Sequence, residues 1–172
     1  MKVIVKSHKA ALRHLQCHPR IATILIRDPD ETCREEPKEP KLVKGAVAGP
    51  LLELFFHDVE FNKKMSWSQQ TAPTQAEIAT AIKFARHHEE VLVTCTAGVG
   101  RSAALGYVLR CIHEAPAEAI KLLDPKVHCP NMAVVRHGQS VLAKRNVVLE
   151  CENFMVAMRA ISYSDDEILD TI

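Results

Sequence analysis

Apolar positions in the first two thirds of the chain fall into short continuous runs separated by segments with helical spacing. The continuous runs predict short strands at residues 2–5, 20–26, 51–57 and 91–94, and the β-branched run at 20–26 is predicted to be buried. Between them, apolar residues recur every three or four positions after Ser7 and after Thr74, two residues suited to capping a helix. Glu77 follows Thr74 at the spacing of a capping box. Strands that alternate with helices predict an α/β fold with a central, mostly parallel sheet flanked by helices.

The last third of the chain is predicted to be helical. Residues 103–112 are apolar almost all round, which is typical of a buried helix. Pro116 suits the first turn of the next helix, and apolar spacing predicts two more helices at about 131–144 and 148–161. We expect these later helices to pack on one face of the sheet.

Polar segments are predicted to lie outside this regular structure. Residues 28–44 combine several prolines with many charges, which indicates a surface loop rather than a domain boundary. Residues 62–73 are predicted to form another loop, and the acidic segment 164–172 is expected to fray. A chain of 172 residues has the length of one domain, so we predict a single domain over residues 1–172.

The overall composition is that of an ordinary globular protein, with 47% hydrophobic and 25% charged residues. The formal net charge of +1 gives no reason to expect a nucleic acid or a membrane surface as partner. No apolar run reaches the ~18 residues of a spanning helix, and none near Met1 has the length of a signal peptide. These features predict a cytoplasmic protein, and they do not specify an oligomeric state.

The cysteines do not have the spacing of a disulfide-bonded or zinc-binding framework. They are scattered and contain no C-x-x-C pair: Cys17, Cys33, Cys95, Cys111, Cys129 and Cys151. We therefore expect reduced thiols, and we expect neither a metal ion nor another cofactor. An oxidised Cys95 would be able in principle to form a disulfide with Cys111 or Cys129, but the expected state of those two is a buried, inert thiol.

Candidate chemistry is concentrated in Val93-Thr-Cys-Thr-Ala-Gly-Val-Gly-Arg-Ser102, between a predicted strand and the predicted buried helix. Backbone N–H groups at a helix N-terminus lack partners and form a ready anion site. Gly98 and Gly100 permit the backbone angles that curl successive amides around one anion. The fork of Arg101 can hold two phosphate oxygens, and both this arginine and the helix dipole favour the thiolate form of Cys95.

This segment therefore contains what a phosphocysteine intermediate requires: a nucleophile, Cys95, an anion cradle, and a hydroxyl, Ser102, that assists departure of the thiolate. The predicted phosphate-binding residues are Thr96, Ala97, Gly98, Val99, Gly100 and Arg101. The alternative is an ordinary glycine-containing turn with a buried structural cysteine. The position between a strand and a buried helix favours phosphate binding.

Departure of the substrate oxygen needs a proton, which an aspartate on a loop facing the phosphate site would supply. We predict Asp58 for this role, because it follows a strand that we expect to lie beside the Cys95 strand. Both would then present residues at the carboxyl edge of the sheet, where α/β folds bind ligands. Glu60 and Asp28 are the alternatives, the latter because it also follows a strand. Asp58 would otherwise cap a turn.

The pattern C-x-x-G-x-x-R-[S/T] after an apolar strand resembles the signature of the protein tyrosine and dual-specificity phosphatases. The resemblance covers roughly residues 21–142, and small bacterial tyrosine-phosphatase-like proteins are similar in length. Leu54-Phe-Phe-His-Asp58 resembles the strand end and loop that hold the family's acid, and Pro130-Asn131 resembles its Pro-Asn element. Thr94 stands where the family usually has a histidine that orders the loop and tunes the thiolate.

The resemblance implies a phosphomonoester hydrolase that acts through a phosphocysteine, without a metal, on a phosphorylated protein or a small phosphomonoester. Asn131 is then a brace between a later helix and the phosphate loop, and Thr94 supports the loop. His137 and Gln139 fall near the position of the family's water-orienting glutamine.

Other functions stay open at this point. A pseudophosphatase that binds phosphate without turnover would keep this loop; Thr94 favours it, whereas the intact Cys95, Arg101 and Ser102 oppose it. Rhodaneses and arsenate reductases also use a cysteine loop, but the low-mass arsenate enzymes have it near the N-terminus. A lipid phosphatase would be expected to have lysines in the loop, where this chain has uncharged residues.

Overall fold

The structure is a computed structural model that describes residues 1–29, 43–60, 63–65 and 68–166 of the chain. Most of the charged segment 28–44 and the end of the acidic segment, 167–172, lie outside the described residues. The surface loop and the fraying expected there stay predictions.

Each of the predicted apolar runs forms a strand. In chain order the strands are β1 (Lys2–Ser7), β2 (Ala22–Arg27), β3 (Leu51–Phe55), β4 (Lys63–Met65), β5 (Ser68–Gln70) and β6 (Glu90–Cys95). Four of them form a parallel sheet in the spatial order β1, β6, β2, β3. All of β2 and nearly all of β6 are buried, which explains why these strands are continuous apolar runs rather than alternating ones. The predicted α/β class is confirmed.

Helices cover both faces of this sheet. They are α1 (His8–Cys17), α2 (Gln75–Ala85), α3 (Arg101–Arg110), α4 (Pro116–Ala119), α5 (Met132–Leu142) and α6 (Val147–Asp166), with a 3₁₀ turn at Ile120–Leu122. Helix α1 packs on one face, whereas α3 packs on the other and the later helices pack beside it, as predicted. The predicted caps are also confirmed: Ser7 Oγ accepts from Ala10 N at 3.2 Å, and Thr74 and Glu77 form a reciprocal capping box.

One local prediction is wrong. The segment 62–73 was predicted to be a loop, but it contains the antiparallel pair β4–β5. Both strands are three residues long and mostly polar, so they leave no alternating pattern in the sequence. The backbone of α6 continues to Asp166, within the acidic segment, and the fraying of that segment stays a prediction.

The predicted order of the strands is also wrong at one position. We expected β3 to lie beside β6, but β2 lies between them and pairs with both. Buried parallel strands have similar apolar runs, so the runs do not specify which strands are neighbours. Consequently Asp28, which follows β2, is closer in topology to the Cys95 strand than Asp58, which follows β3.

Helix α3 is the most deeply buried helix and fixes the segment that precedes it. Every residue from Arg101 to Leu109 is buried. Gly106 lies directly on β1, because a Cβ at this position would collide with Val5. The hydroxyl of Tyr107 donates to the carbonyl of Val147 at 2.9 Å and so connects α3 to α6.

His8, the first residue of α1, is a buried polar group that the sequence did not indicate. Its side chain is fully buried, and neither ring nitrogen has a hydrogen-bond partner among the described residues. Burial lowers the pKa of His8 from 6.5 to about 4. The ring lies near the Ile26 carbonyl, which favours the protonated form but is outside hydrogen-bonding geometry, and near Arg101 and Arg27, which oppose it.

We predict that His8 makes folding stability depend on pH. Between pH 6.5 and about 4 the unfolded chain binds a proton on this ring and the folded chain does not, so stability falls as the pH decreases through this range. At ~1.4 kcal/mol for each pKa unit, the total loss is about 3 kcal/mol. Urea unfolding of His8→Leu at pH 7 and pH 4 should show that much less acid destabilisation than the unsubstituted protein. His113→Gln, at an exposed position, is the control, and an unchanged pH dependence in His8→Leu would contradict the prediction.

Candidate active site

The loop from Cys95 to Arg101 connects β6 to α3 at the carboxyl edge of the sheet. Gly98 has φ +78°, a left-handed conformation that residues with a side chain rarely adopt. A Cβ at Gly98 would also lie 2.5 Å from the backbone nitrogen of Ser7. The loop therefore packs directly on the junction of β1 and α1, and only glycine fits at its point of contact.

The backbone N–H groups of the loop are left without acceptors. No atom in the described part of the chain accepts a hydrogen bond from the amides of residues 96–100. The carbonyls of Val99 and Gly100, in contrast, accept from Cys129 N at 3.1 Å and Asn131 N at 3.3 Å. Because the C=O and N–H of one peptide group point in opposite directions, the N–H groups of Gly100 and Arg101 point away from this brace. Unpartnered amides at a helix N-terminus form a site for an anion.

The thiol of Cys95 lies at the base of this loop. The side chain is 2% exposed, and Sγ is 3.0 Å from Ser102 Oγ. A hydroxyl at this distance can donate a hydrogen bond to a thiolate sulfur. The structure therefore brings together the nucleophile and the hydroxyl that the sequence paired.

Arg101 is held by two acceptors, each in the residue that directly follows a strand. Its Nη1 donates to Asp28 Oδ1 and to the Phe56 carbonyl, both at 2.7 Å, and its side chain is almost completely buried. Its Nε is buried and has no partner among the described residues. One nitrogen thus fixes the guanidinium, and the remaining donors are available for phosphate oxygens.

Asp58 reaches the loop although its strand is not adjacent to β6. Its Oδ1 accepts from Asn131 Nδ2 at 2.9 Å. Its carboxylate also lies so close to Gly100 that a Cβ there would collide with it. Asn131 at the same time caps α5, because its Oδ1 accepts from Ala133 N and Val134 N. One asparagine thereby connects the carboxylate, the loop and the helix.

The two alternative acids are placed differently. Asp28 uses an oxygen to hold Arg101, and protonation would weaken this ion pair. Glu60 is exposed, and its Oε2 is 3.5 Å from Nη1 of Arg136, an exposed residue of α5. Asp28 contacts the loop only through the Arg101 side chain, and no contact between Glu60 and the loop is described. The Asp58 carboxylate, in contrast, lies against the backbone of the loop at Gly100.

The structure also locates the three remaining residues singled out from the sequence, Thr94, Gln139 and His137. Thr94 is fully buried, and its Oγ1 has no partner in the described residues. Gln139 does not face the loop: its Oε1 accepts from Val148 N at 3.0 Å and so connects α5 to α6. His137 is half-buried on the same helix, and no contact described here assigns it a role at the site.

The remaining thiols also differ from one another. Burial raises the pKa of Cys111 to about 11 and that of Cys151 to about 12. Cys129 is exposed, unlike the buried thiol that we expected. All cysteines in the described ranges are free thiols.

Sequence analysis missed three features of the site: the Phe56 carbonyl, the role of Asp28 as the partner of Arg101, and the imidazole of His8. A backbone carbonyl has no signature in a sequence. Asp28 could have been found from its place directly after a strand, but only with the correct strand order. His8 follows a capping serine at the start of an amphipathic helix, where a polar side chain is usually exposed.

The described residues contain no group of histidine, cysteine, aspartate or glutamate side chains that is arranged to hold a metal ion. Within the same ranges no helix combines the length and apolarity that crossing a bilayer requires.

The protein resembles known proteins in its structure, whereas its sequence alone gives no match. No protein-family model matches the sequence, and no curated protein matches it. Solved structures do match. PTPMT1 in complex with PI(5)P is 18% identical, with a TM-score of 0.55, over 83% of this chain and 90% of that chain. The human tyrosine phosphatase-like serine/threonine/tyrosine-interacting protein is 20% identical, with a TM-score of 0.55, over 82% of this chain and 91% of that chain.

Human DUSP28 is 18% identical, with a TM-score of 0.54, over 82% of this chain and 91% of that chain. The matched proteins have the same α/β architecture, and each alignment extends over most of both chains. At these identities the likeness establishes the fold. The chain has a protein tyrosine/dual-specificity phosphatase-like fold.

Proposed function

We propose that this protein is a phosphomonoester hydrolase that acts through a phosphocysteine intermediate. Its proposed substrates are proteins that contain phosphotyrosine, or both phosphotyrosine and phosphoserine or phosphothreonine. One observation supports this more than any other. The Cys95 sulfur lies beside the Ser102 hydroxyl, at the base of a loop whose amides have no acceptors in the described chain. An anion that binds these amides would place its central atom next to the sulfur.

In the first step, the Cys95 thiolate attacks phosphorus, an S–P bond forms and the P–O bond to the leaving group breaks. The loop amides and Arg101 hold the equatorial oxygens as negative charge develops on them. Asp58 gives its proton to the leaving oxygen, because its carboxyl group lies over Gly100 at the mouth of the loop. Because Asp28 and the Phe56 carbonyl already fix Arg101, its side chain needs little rearrangement to reach the transition state of this step.

In the second step, water attacks the phosphorus of the phosphocysteine. Asp58, now ionised, accepts a proton from the water, the S–P bond breaks, and inorganic phosphate forms. Ser102 donates a hydrogen bond to the departing thiolate. The amides and Arg101 supply the positive charge that stabilises phosphate, so a metal ion is not required for either step.

The uncharged loop and the structural neighbours support the proposed classes of substrate. Thr96, Ala97 and Val99 add no charge to the loop, which supports a monoester of moderate charge. One neighbour is solved with PI(5)P, so a non-protein phosphomonoester is the second candidate substrate. Thr94, at the position where the resembled family usually has a histidine, favours the other alternative, a phosphate-binding protein without turnover. The free thiols of the described chain support a reducing compartment such as the cytoplasm.

We predict hydrolysis of aryl phosphates without an added metal ion, and inhibition by vanadate. Cys95→Ser should reduce turnover by roughly 10³-fold or more, because the nucleophile is lost. It should leave vanadate binding intact, because the loop amides and Arg101 remain. Initial rates with nitrophenyl phosphate and calorimetric titration with vanadate measure the two effects. Cys17→Ser, at an exposed thiol, is the matched control. Turnover that survives in Cys95→Ser, or that requires a divalent ion, would exclude the proposed mechanism.

We predict that Asp58→Asn affects substrates according to their leaving groups. Phenoxide is a strong base and needs the proton, whereas nitrophenolate needs it less. Turnover of phenyl phosphate should fall by roughly 10²-fold or more, with a much smaller loss for nitrophenyl phosphate. The falling alkaline limb of the pH–rate profile should become flatter, since that limb reports loss of the acid's proton.

Substitutions of the two other carboxylates are the controls. Asp28→Asn should reduce turnover of both substrates by the same factor, because it loosens Arg101. Glu60→Gln, at an exposed residue, should change neither. A leaving-group effect that appears in one of these variants and not in Asp58→Asn would assign the acid to that residue instead.

A further inference from the structure

A groove runs between β1 and α1 at the edge of the sheet. Its volume is about 490 Å³, and its lining includes Lys6, Ala10, Arg13, His14 and His18. We call it the β1–α1 groove. It lies on the face opposite α3 and is not part of the proposed catalytic site.

One end of the β1–α1 groove adjoins the phosphate loop. Strand β1 pairs with β6 so that Lys6 lies opposite Thr94 and Ser7 opposite Cys95. A Cβ at Gly98 would be 2.9 Å from the carbonyl carbon of Lys6. From Ala10 the groove follows α1 toward its C-terminus for ~12 Å, at 1.5 Å per helical residue. That distance is the length of about three or four residues of an extended peptide.

The groove has unneutralised positive charge. Within the described ranges, no carboxylate forms an ion pair with Lys6 or Arg13. Burial lowers the pKa of His14, so this ring is neutral near pH 7. The nearby Glu90 does not neutralise the groove, because it pairs with Lys2. An anionic group is the ligand that this charge fits.

We propose that the β1–α1 groove binds acidic residues within a few positions of the phosphorylated residue of a protein substrate. The inference rests on the proposed function and narrows its substrate to acidic phosphopeptides. An extended peptide can lie along this open groove beside an edge strand, with its acidic side chains near Lys6 and Arg13. The exposed large apolar residues of the described chain, which would insert into a membrane, lie elsewhere: Phe55, Val127, Leu149 and Val156.

The test compares phosphotyrosine peptides that differ only in charge. One has acidic residues before the phosphotyrosine, one has them after it, and a third has glutamine at all these positions. The unsubstituted protein should hydrolyse one acidic peptide with a kcat/KM about five- to tenfold above the glutamine peptide, mainly through KM. Lys6→Gln/Arg13→Gln should abolish this preference, and so should a tenfold increase in ionic strength. Lys6→Arg/Arg13→Lys, which keeps both charges, should retain it.

The matched control is Lys83→Gln/Arg86→Gln, which removes two positive charges from exposed positions in the last turn and at the C-cap of α2, on the other face of the sheet. It should retain the preference for the acidic peptide. Equal kcat/KM for all three peptides in the unsubstituted protein would overturn the inference. The inference would also be overturned if the control variant lost its preference for the acidic peptide. The same holds if Lys6→Gln/Arg13→Gln changed only the activity on phosphoinositide vesicles and not the activity on peptides.

Failure of the proposed function gives a different result. Nitrophenyl phosphate reports catalysis without the groove, so a protein inactive on it would contradict the proposed function alone. Binding of the same peptides to Cys95→Ser, measured by fluorescence anisotropy, then tests independently of turnover whether the groove binds acidic residues. Tighter binding of an acidic peptide that depends on Lys6 and Arg13 supports the inference, and equal binding of all peptides excludes it.

Discussion

The buried guanidinium of Arg101 is the group on which the carboxyl edge of the sheet depends. A charge removed from water and left unpaired destabilises a fold by several kcal/mol, and here Asp28 and the Phe56 carbonyl supply the acceptors. These contacts bring the segments after β2 and β3 to the loop that follows β6. The loop amides and the Arg101 Nε still lack acceptors in the described chain. The edge therefore has more donors than acceptors, and a bound phosphate would correct that imbalance as well as position the substrate.

The sequence predicted the parts of the site that are local and missed those that depend on strand order. Cys95, Arg101 and Ser102 lie in one segment between a strand and a helix, so their proximity follows from the chain itself. Asp28 and Asp58 reach the loop through pairing of strands that are far apart in sequence. The apolar runs of those strands are alike and do not encode which one is the neighbour of β6. Asp58 lies close to the loop because the chain after β3 extends back over Gly100, and its role as the acid stays a prediction.

Thr94 and His8 show how polar groups near the loop can be missed. The position before Cys95, where the resemblance leads one to expect histidine, is a threonine whose buried hydroxyl has no described partner. A buried imidazole lies instead at the end of the neighbouring strand, at His8, next to Ser7, which pairs with Cys95. Because burial keeps this ring neutral above about pH 4, it adds no charge beside Arg101. A protonated ring there would repel the guanidinium and weaken the fold around the loop.

The net charge of +1 conceals an uneven distribution that arises from topology. Lys6 and Arg13 would be ordinary surface residues if β1 paired elsewhere in the sheet. Because β1 is an edge strand beside β6, the backbone of Lys6 lies against Gly98 of the loop, and the groove between β1 and α1 begins at Lys6. The uncharged loop residues contribute nothing to the choice between acidic and neutral substrates. The charge preference that we propose therefore depends on surfaces around the loop, and the β1–α1 groove is one such surface of the described chain, with Lys6 and Arg13 in its lining.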